Sequence, residues 1–234
     1  MGALVLIPNQ LGDNPRLMFA DHPLLKGVVA GLTGLLSENG QGGRRLLKRL
    51  GQRLPIEVMQ RGRGRFAGFE ILDLIAKGER WGFVCDAGWP AIADPGADLV
   101  FAARERNLNV EICAGSSSLM LALALSGLPS QSFLFHGYLP VKRDDVCKKL
   151  GDIVCMRSIQ AHLCIETPYR NQRLLGILID QLPSTWWLSA CSSLSLQDEA
   201  VVTRQITTWR KARSFPQLDK RPTVFVISAR AKNS

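Results

Sequence analysis

The chain has 234 residues, 46% of them hydrophobic and 21% charged, so it can bury a substantial core as one large domain or two small ones. Its six cysteines form no C-x-x-C pair, which excludes a zinc ribbon or a redox motif and fits free thiols in a reducing cytosol. Its formal net charge of +9 is uneven: residues 44–65 hold eight Arg or Lys against the single acid Glu57, a net +7, which points to a polyanionic or multiply carboxylated partner.

The elements alternate through the first half. "ALVLI" (3–7) is a continuous apolar run, as a parallel strand buried on both faces requires. It is ended by Pro8 and is too short for a signal peptide or a membrane span. "GLTGLL" (31–36) reads as a weaker strand. In "RRLLKRLGQRL" (44–54), Leu47, Leu50 and Leu54 can share the core face of a helix, leaving Arg45, Lys48, Arg49 and Arg53 largely elsewhere. "PIEVM" (55–59) follows, then the basic loop "RGRGR" (61–65). "GFEILDLIAKG" (68–78) puts Phe69, Leu72, Ile75 and Ala76 on one helical face and stops at Gly78. "WGFVC" (81–85) is a strand, "ADLVFAARERN" (97–107) a helix and "NVEIC" (109–113) a strand. Strand, loop, helix, strand is the order of a parallel α/β sheet.

A boundary is expected at "AGSSS" (114–118), giving an N-terminal α/β domain over 1–115 and a C-terminal α/β domain over 116–234. A helix follows it, with "QSFLFHGYLP" (131–140) as a strand entering a turn. "AHLCIE" (161–166) reads as a strand and "YRNQRLLGILIDQL" (169–182) as a helix. "TWWLSAC" (185–191), "EAVVTR" (199–204) and "PTVFVIS" (222–228) read as strands of a more antiparallel layer.

Ligands of parallel α/β folds bind at the carboxyl ends of the strands. Three loops are expected there: "PNQLGDN" (8–14), "DAGWPAIADPG" (86–96) and "AGSSS". The middle one is the most constrained. Pro90 and Pro95 fix φ and remove two N–H donors, while Gly88 and Gly96 permit tight bends. It reads as a rigid ledge that offers backbone amides and carbonyls to a flat polar molecule, with Trp89 adding an aromatic plane. No G-x-G-x-x-G or G-x-x-x-x-G-K-[ST] is present, and "GSSSL" lacks the last glycine of a nucleophile elbow. His22, His136 and His162 stand singly and read as structural. Cys147, Cys155, His162 and Cys164 could gather round a metal, but buried free cysteine is the commoner state and no metal is expected.

On "LVLIPNQLGDN", "DAGWPAIADPGADLV", "SGLPSQSFLFHGYLPVK" (126–142) and "IETPYRNQRLL" (165–175), the chain resembles the tetrapyrrole methylase family of S-adenosylmethionine-dependent methyltransferases. It is most similar to the subgroup that methylates a cytidine 2′-hydroxyl of small-subunit ribosomal RNA. The resemblance implies two α/β domains, a parallel-sheet N-terminal one and a mixed-sheet C-terminal one, with S-adenosylmethionine in the cleft between them, and a homodimer. It implies cofactor contacts at Pro8, Leu11 and Gly12; at Asp86, Gly88, Trp89, Pro90, Ile92 and Ala93; at Ser117 and Ser118; at Ile165 and Glu166; at Ala190; and at Pro222 and Thr223. Family members often carry Thr or Asp where this chain has Trp89. Relatives of the RNA-modifying type often read Glu-Asp-x-Arg where this chain has "SENGQGGRR": Glu38 stays, Asn39 and Gln41 replace the acid and the base, and Gly40, Gly42 and Gly43 read as loosening the stretch. The chain also ends near 234 without the C-terminal segment that many RNA-modifying relatives have.

Methyl transfer is an in-line displacement, so positioning supplies much of the acceleration. A hydroxyl acceptor must also lose its proton, and Glu38 is the candidate base. Arg44, Arg45, Arg49, Arg61, Arg63 and Arg65 are expected to line the substrate approach on RNA phosphates. A tetrapyrrole-precursor methyltransferase and a non-catalytic cofactor- or RNA-binding relative remain as alternatives.

Overall fold

In the computed structural model, which describes residues 1–10, 23–59, 70–93, 96–156 and 158–229, the chain divides into two compact units, Met1–Ser117 and Ser118–Ser234. The first is organised around β1 (Ala3–Ile7), all five residues of which are buried. Successive side chains of a strand point to opposite faces. Leu4 and Leu6 therefore enter one apolar cluster, and Ala3, Val5 and Ile7 enter another on the other face. A strand covered on both sides can be apolar throughout, which is why this run is continuous.

The remaining elements of this unit are α1 (Pro23–Ala30), β2 (Gly34–Ser37), α2 (Gln41–Leu50), β3 (Ile56–Val58), α3 (Glu70–Ala76), β4 (Arg80–Val84), α4 (Gly96–Glu105) and β5 (Asn109–Ile112). Among the described residues the sheet order is β3-β2-β4-β1-β5, every pair parallel. Leu46, Leu47 and Leu50 of α2 pack with Val29 of α1 on one face; Ile71, Leu72 and Ile75 of α3 pack with Leu99 of α4 on the other. β1 and β4 are adjacent, so the loops leaving their carboxyl ends lie side by side.

Several local expectations need correction. The strand expected over 31–36 starts at Gly34, because Gly31 and Leu32 still donate to Val28 and Val29 at the end of α1, a helix the sequence reading did not contain. The basic helix begins at Gln41 and stops at Leu50, where Gly51 turns left-handed (φ 63°) and its N–H caps Leu47 and Lys48 carbonyls. Leu54 is thus outside the helix, yet it packs against the same cluster. On α3, Ile71 takes the core position expected of Ala76, which is exposed. Phe69 lies outside the described residues.

The second unit runs α5 (Ser118–Ser126), β6 (Phe133–Tyr138), α6 (Arg143–Cys155), β7 (Ala161–Ile165), a 3-10 turn at Pro168–Arg170, α7 (Asn171–Gln181), β8 (Trp187–Ser192), β9 (Ala200–Gln205), α8 (Ile206–Lys211) and β10 (Thr223–Ser228). Its sheet order is β6-β7-β10-β8-β9; β6 and β7 are parallel and the other pairs antiparallel. One face packs on α6, α7 and α8 around the fully buried Trp209, the other on α5. α6 and α8 were not expected. The strand expected to begin at Thr185 begins at Trp187; Trp186 precedes it, buried in the core.

Candidate active site at the strand ends

Asn9, two residues beyond β1, is the hub of the first unit's strand ends. It is 5% exposed, and its backbone forms an antiparallel bridge with Gly88: Asn9 N–H donates to Gly88 O at 2.9 Å and Gly88 N–H to Asn9 O at 2.8 Å. Its side-chain Nδ2 donates to Gly42 O at 3.2 Å, Cys85 O at 3.1 Å and Asp86 O at 3.4 Å. Its Oδ1 accepts from Gln10 N–H at 3.0 Å and from Arg49 Nη2 at 3.4 Å. One amide thus joins the ends of β1 and β4 to the first turn of α2. The sequence reading singled out this loop but not Asn9.

The ledge expected at 86–96 is present as far as the described residues reach. Gly88 has φ 81°, and Ala91 and Ala93 are also left-handed at φ 67° and 62°, so three bends fold a short segment tightly. Pro90 is buried and Ile92 exposed. Pro95 lies outside the described residues. Trp89 does not stand as a free plane: its Nε1–H donates to Gly115 O at 3.1 Å. A Cβ on Gly115 would lie 2.6 Å from Pro8, so this third loop needs glycine to approach the first. Pro8, Gly88, Trp89 and Gly115 therefore connect all three strand-end loops, while Leu11 and Gly12 lie outside the described residues.

The stretch 38–43 departs from its expected looseness. Gly40 sits left-handed (φ 76°) at the start of α2. A Cβ on Gly42 would fall 2.6 Å from Cys85 O and 3.1 Å from Asp86 Cα, so glycine lets the helix press against the end of β4. Asn39 Nδ2 bonds Asp86 Oδ2, and Asn39 Oδ1 accepts from Gln41 N–H at 2.9 Å. Glu38, half-buried, follows β2 directly, and its backbone N–H reaches Val84 O at 3.4 Å.

The basic residues separate into two kinds. Arg45 Nη2 donates to Asp86 O at 2.9 Å and Arg49 reaches Asn9, so these half-buried guanidiniums brace the loops rather than simply lining an outer face. Arg44, Lys48 and Arg53 are exposed. Arg61, Arg63 and Arg65 lie outside the described residues.

In the second unit, Ile165 and Glu166 at the end of β7 lie beside Pro222 and Thr223 at the start of β10, since Val224 pairs with Ile165 and Thr223 with Ser192. Glu166 Oε1 accepts from Thr167 N–H at 2.6 Å and forms an ion pair with Arg170 at 2.5 Å, so this carboxylate is already engaged. Ala190 is 1% exposed and packs in the core with Phe225, leaving no free side-chain surface. Ser117 ends the first unit and Ser118 opens α5 in the second.

His136 and His162 do not stand singly. His136 Nε2 and His162 Nδ1 are 3.0 Å apart across β6 and β7, with Trp186 stacked beyond His162. Burial, then the neighbouring His162 and Lys149, pushes His136 down to about 4, and burial lowers His162 as well. Burial raises the Cys164 thiol to about 12 and Cys191 to about 11, which makes both poor nucleophiles. Among the described residues no group of three or more His, Cys, Asp or Glu is placed to hold a metal, and no helix is long and apolar enough to cross a membrane.

No family model matches the chain. A ribosomal RNA small subunit methyltransferase I of Xylella fastidiosa is 35% identical over 141 residues, 60% of this chain and 50% of that protein. One from Thermotoga maritima is 30% identical over 60% of this chain and 61% of its own length, and one from Leptospira biflexa is 26% identical over 99% and 93%. The chain spans about half the length of the first of these relatives. Among solved structures, diphthine synthase matches with TM-score 0.65 at 13% identity, covering 97% of this chain and 89% of that one. Uroporphyrin-III-C-methyltransferase from Thermus thermophilus matches with TM-score 0.58 at 16% identity, covering 98% and 95%.

Proposed function

We propose that this chain, a relative of the ribosomal RNA small subunit methyltransferase I proteins with the tetrapyrrole-methylase fold, is an S-adenosylmethionine-dependent methyltransferase acting on a ribose 2′-hydroxyl of ribosomal RNA. The observation that carries the reading is the fastening of three strand-end loops through Asn9–Gly88 and Trp89–Gly115, at the end of a parallel sheet where ligands of such folds bind. The chemistry of the site fits the cofactor. Its left-handed Gly88, Ala91 and Ala93 leave a tight backbone ledge, and Gln10 and Asp86 carry buried polar atoms without partners.

S-adenosylmethionine supplies an electrophilic methyl group on a sulfonium. This chain's part is to hold the reactants in line and to manage one proton. The ledge at 88–93, tied to the first loop by Asn9–Gly88 and to the third by Trp89–Gly115, holds and orients the cofactor on bends set by its own backbone. Ser117, Ser118, Ile165, Pro222 and Thr223 are further proposed contacts. The Glu38 carboxylate is the proposed acceptor of the hydroxyl proton. Arg44, with Arg61, Arg63 and Arg65, contacts RNA phosphates, while Arg45 and Arg49 act by bracing the loops. The enzyme works in the cytoplasm as a homodimer; the exposed apolar side chains Phe101, Ile112, Met120 and Leu125 support pairing.

The test is production of S-adenosylhomocysteine from S-adenosylmethionine by the purified chain, with small ribosomal subunits or with a carboxylated tetrapyrrole as acceptor. The reading expects turnover with the ribosomal substrate alone. Turnover only with the tetrapyrrole would replace it, and none with either would leave a binding protein.

A further inference from the structure

Gln10 carries both atoms of its side-chain amide, Nε2 and Oε1, buried and without a hydrogen-bond partner. Folded proteins rarely leave such groups unsatisfied, and those that remain call for an explanation. Among the described residues, the other buried side chains with a missing bond lack it at one atom only. His162 lacks a partner at Nε2 but uses Nδ1 on His136, and Asn171 lacks one at Oδ1 but donates from Nδ2 to Arg221 O at 2.7 Å. At Gln10 a whole donor–acceptor pair is idle.

Its place in the site is fixed. Asn9 Oδ1 accepts the Gln10 backbone N–H at 3.0 Å, and Asn9 Nδ2 reaches Asp86 O at 3.4 Å. Asp86 itself has Oδ1 buried and unpartnered, while Oδ2 is taken by Asn39. The same asparagine therefore holds two residues that together lack partners for one amide donor, one amide acceptor and one carboxylate oxygen. Packing alone would be better served here by Met or Leu, which fill similar space and leave no polar atom behind.

We propose that Gln10 reads a nucleobase edge in this site: its amide pairs with an amino group and an adjacent ring nitrogen, and Asp86 accepts a further hydrogen from the same ligand. A planar amide with donor and acceptor side by side complements adenine at its amino group and N7, or cytosine at its amino group and N3. Three rotatable bonds let the amide turn from its resting position onto such an edge. The base belongs either to the cofactor or to the RNA. The inference rests on the methyltransferase reading and adds to it a residue that sets specificity.

The test uses the full chain with Gln10→Met and Gln10→Glu, read by calorimetry with S-adenosylhomocysteine, by KM and kcat on small ribosomal subunits, and by thermal unfolding. Both variants are expected to fold, Gln10→Met as stable as the parent or more so, since it removes idle polar atoms. A loss of about tenfold to a hundredfold in affinity is expected for one ligand, the size that a bidentate base contact carries. If S-adenosylhomocysteine binding weakens and KM for the RNA substrate holds, the base is the cofactor's adenine; 7-deaza-adenosylhomocysteine should then bind the parent more weakly and both variants without further loss. If KM for the RNA rises and cofactor affinity holds, the base is in the substrate. Variants that keep both within twofold overturn the role of Gln10 while methyl transfer by the parent stands. A parent that transfers no methyl group, with variants that still lose S-adenosylhomocysteine, keeps the role of Gln10 and removes the RNA reading. A parent that binds neither ligand overturns both.

Discussion

Gly42→Ala is a small change with a large expected effect. Gly42 is buried in the first turn of α2, and a methyl group there would meet Cys85 O at 2.6 Å and Asp86 Cα at 3.1 Å, both backbone atoms that cannot rotate away. Normal contact distance requires the helix and the end of β4 to part by more than half an ångström. Parting strains the bonds from Asn9 Nδ2 to Gly42 O at 3.2 Å and to Cys85 O at 3.1 Å, and that from Arg45 to Asp86 O at 2.9 Å. Overpacking costs about 1–3 kcal/mol. Weakening two or three buried hydrogen bonds adds about 2 kcal/mol, and alanine's better helix propensity returns about 1 kcal/mol. The net expectation is a destabilisation of about 2–4 kcal/mol, a fall in Tm of about 4–16 °C at this chain length. Gly43→Ala is the control: the nearest atoms to its Cβ would be side-chain atoms of Ser37 and Ile56, at 3.3 to 3.5 Å. Thermal unfolding of both, with S-adenosylhomocysteine titrated calorimetrically, reads the difference. Gly42→Ala should lose stability and cofactor affinity together, and Gly43→Ala should keep both. A Gly42→Ala chain as stable as the parent, with unchanged affinity, would refute the argument that close approach of α2 shapes the site.

Gly115→Val should lose cofactor affinity at least tenfold while the chain still folds, because the side chain would drive into Pro8 and displace the loop that Trp89 holds; calorimetry checks it. Neutralising Arg61, Arg63 and Arg65 together should weaken RNA binding without sequence preference and reduce the salt dependence, by a log–log slope of about 0.7 per lost contact, leaving cofactor affinity unchanged. Arg45→Gln should instead lower Tm and cofactor affinity along with RNA affinity, since its guanidinium bonds Asp86 O. Folded His136 titrates at about 4 and an unfolded histidine at about 6.5, so the unfolded chain binds more protons between these values and stability falls as pH drops through that window. The loss from His136 should be about 2 kcal/mol after solvent screening of the half-buried ring, and His136→Gln should reduce the pH dependence in urea unfolding, leaving the part that comes from His162, which burial also lowers. Light scattering should give twice the 25.8 kDa of one chain; a constant 25.8 kDa at all concentrations would refute the dimer.

The centre of the parallel sheet was legible because β1 and β4 are covered on both faces and so appear as apolar runs, whereas β3 and β5 at its edges are only partly buried. β1 and β4 are shifted by at most one residue from the runs in the sequence. α6 was missed although Val146, Leu150 and Ile153 keep helical spacing, because its charged positions mask a narrow apolar stripe. α8, at six residues, is too short for a periodic signal and is held by the burial of Ile206 and Trp209. The site was legible where the backbone itself needs special residues, as at Gly88 and Pro90. It was not legible where one side chain meets partners far along the chain. Asn9 bonds Gly42 and Cys85, 33 and 76 positions away, and nothing local marks it as a hub. Gly42 read as looseness because a glycine needed for close approach looks the same in sequence as a flexible one. His136 and His162, 26 positions apart, became a pair only through the β6–β7 register.

Alkaline hydrolysis of small-subunit ribosomal RNA after incubation with the purified chain and S-adenosylmethionine tests the account most directly. Strand scission by base uses the ribose 2′-oxygen as nucleophile, so a methyl group on that oxygen blocks cleavage at its own linkage. The account predicts a discrete hydrolysis-resistant linkage that appears with the parent chain, requires S-adenosylmethionine and is lost with Gly115→Val. An RNA that stays fully hydrolysable, with no methyl group incorporated by a chain that binds S-adenosylhomocysteine, would contradict it.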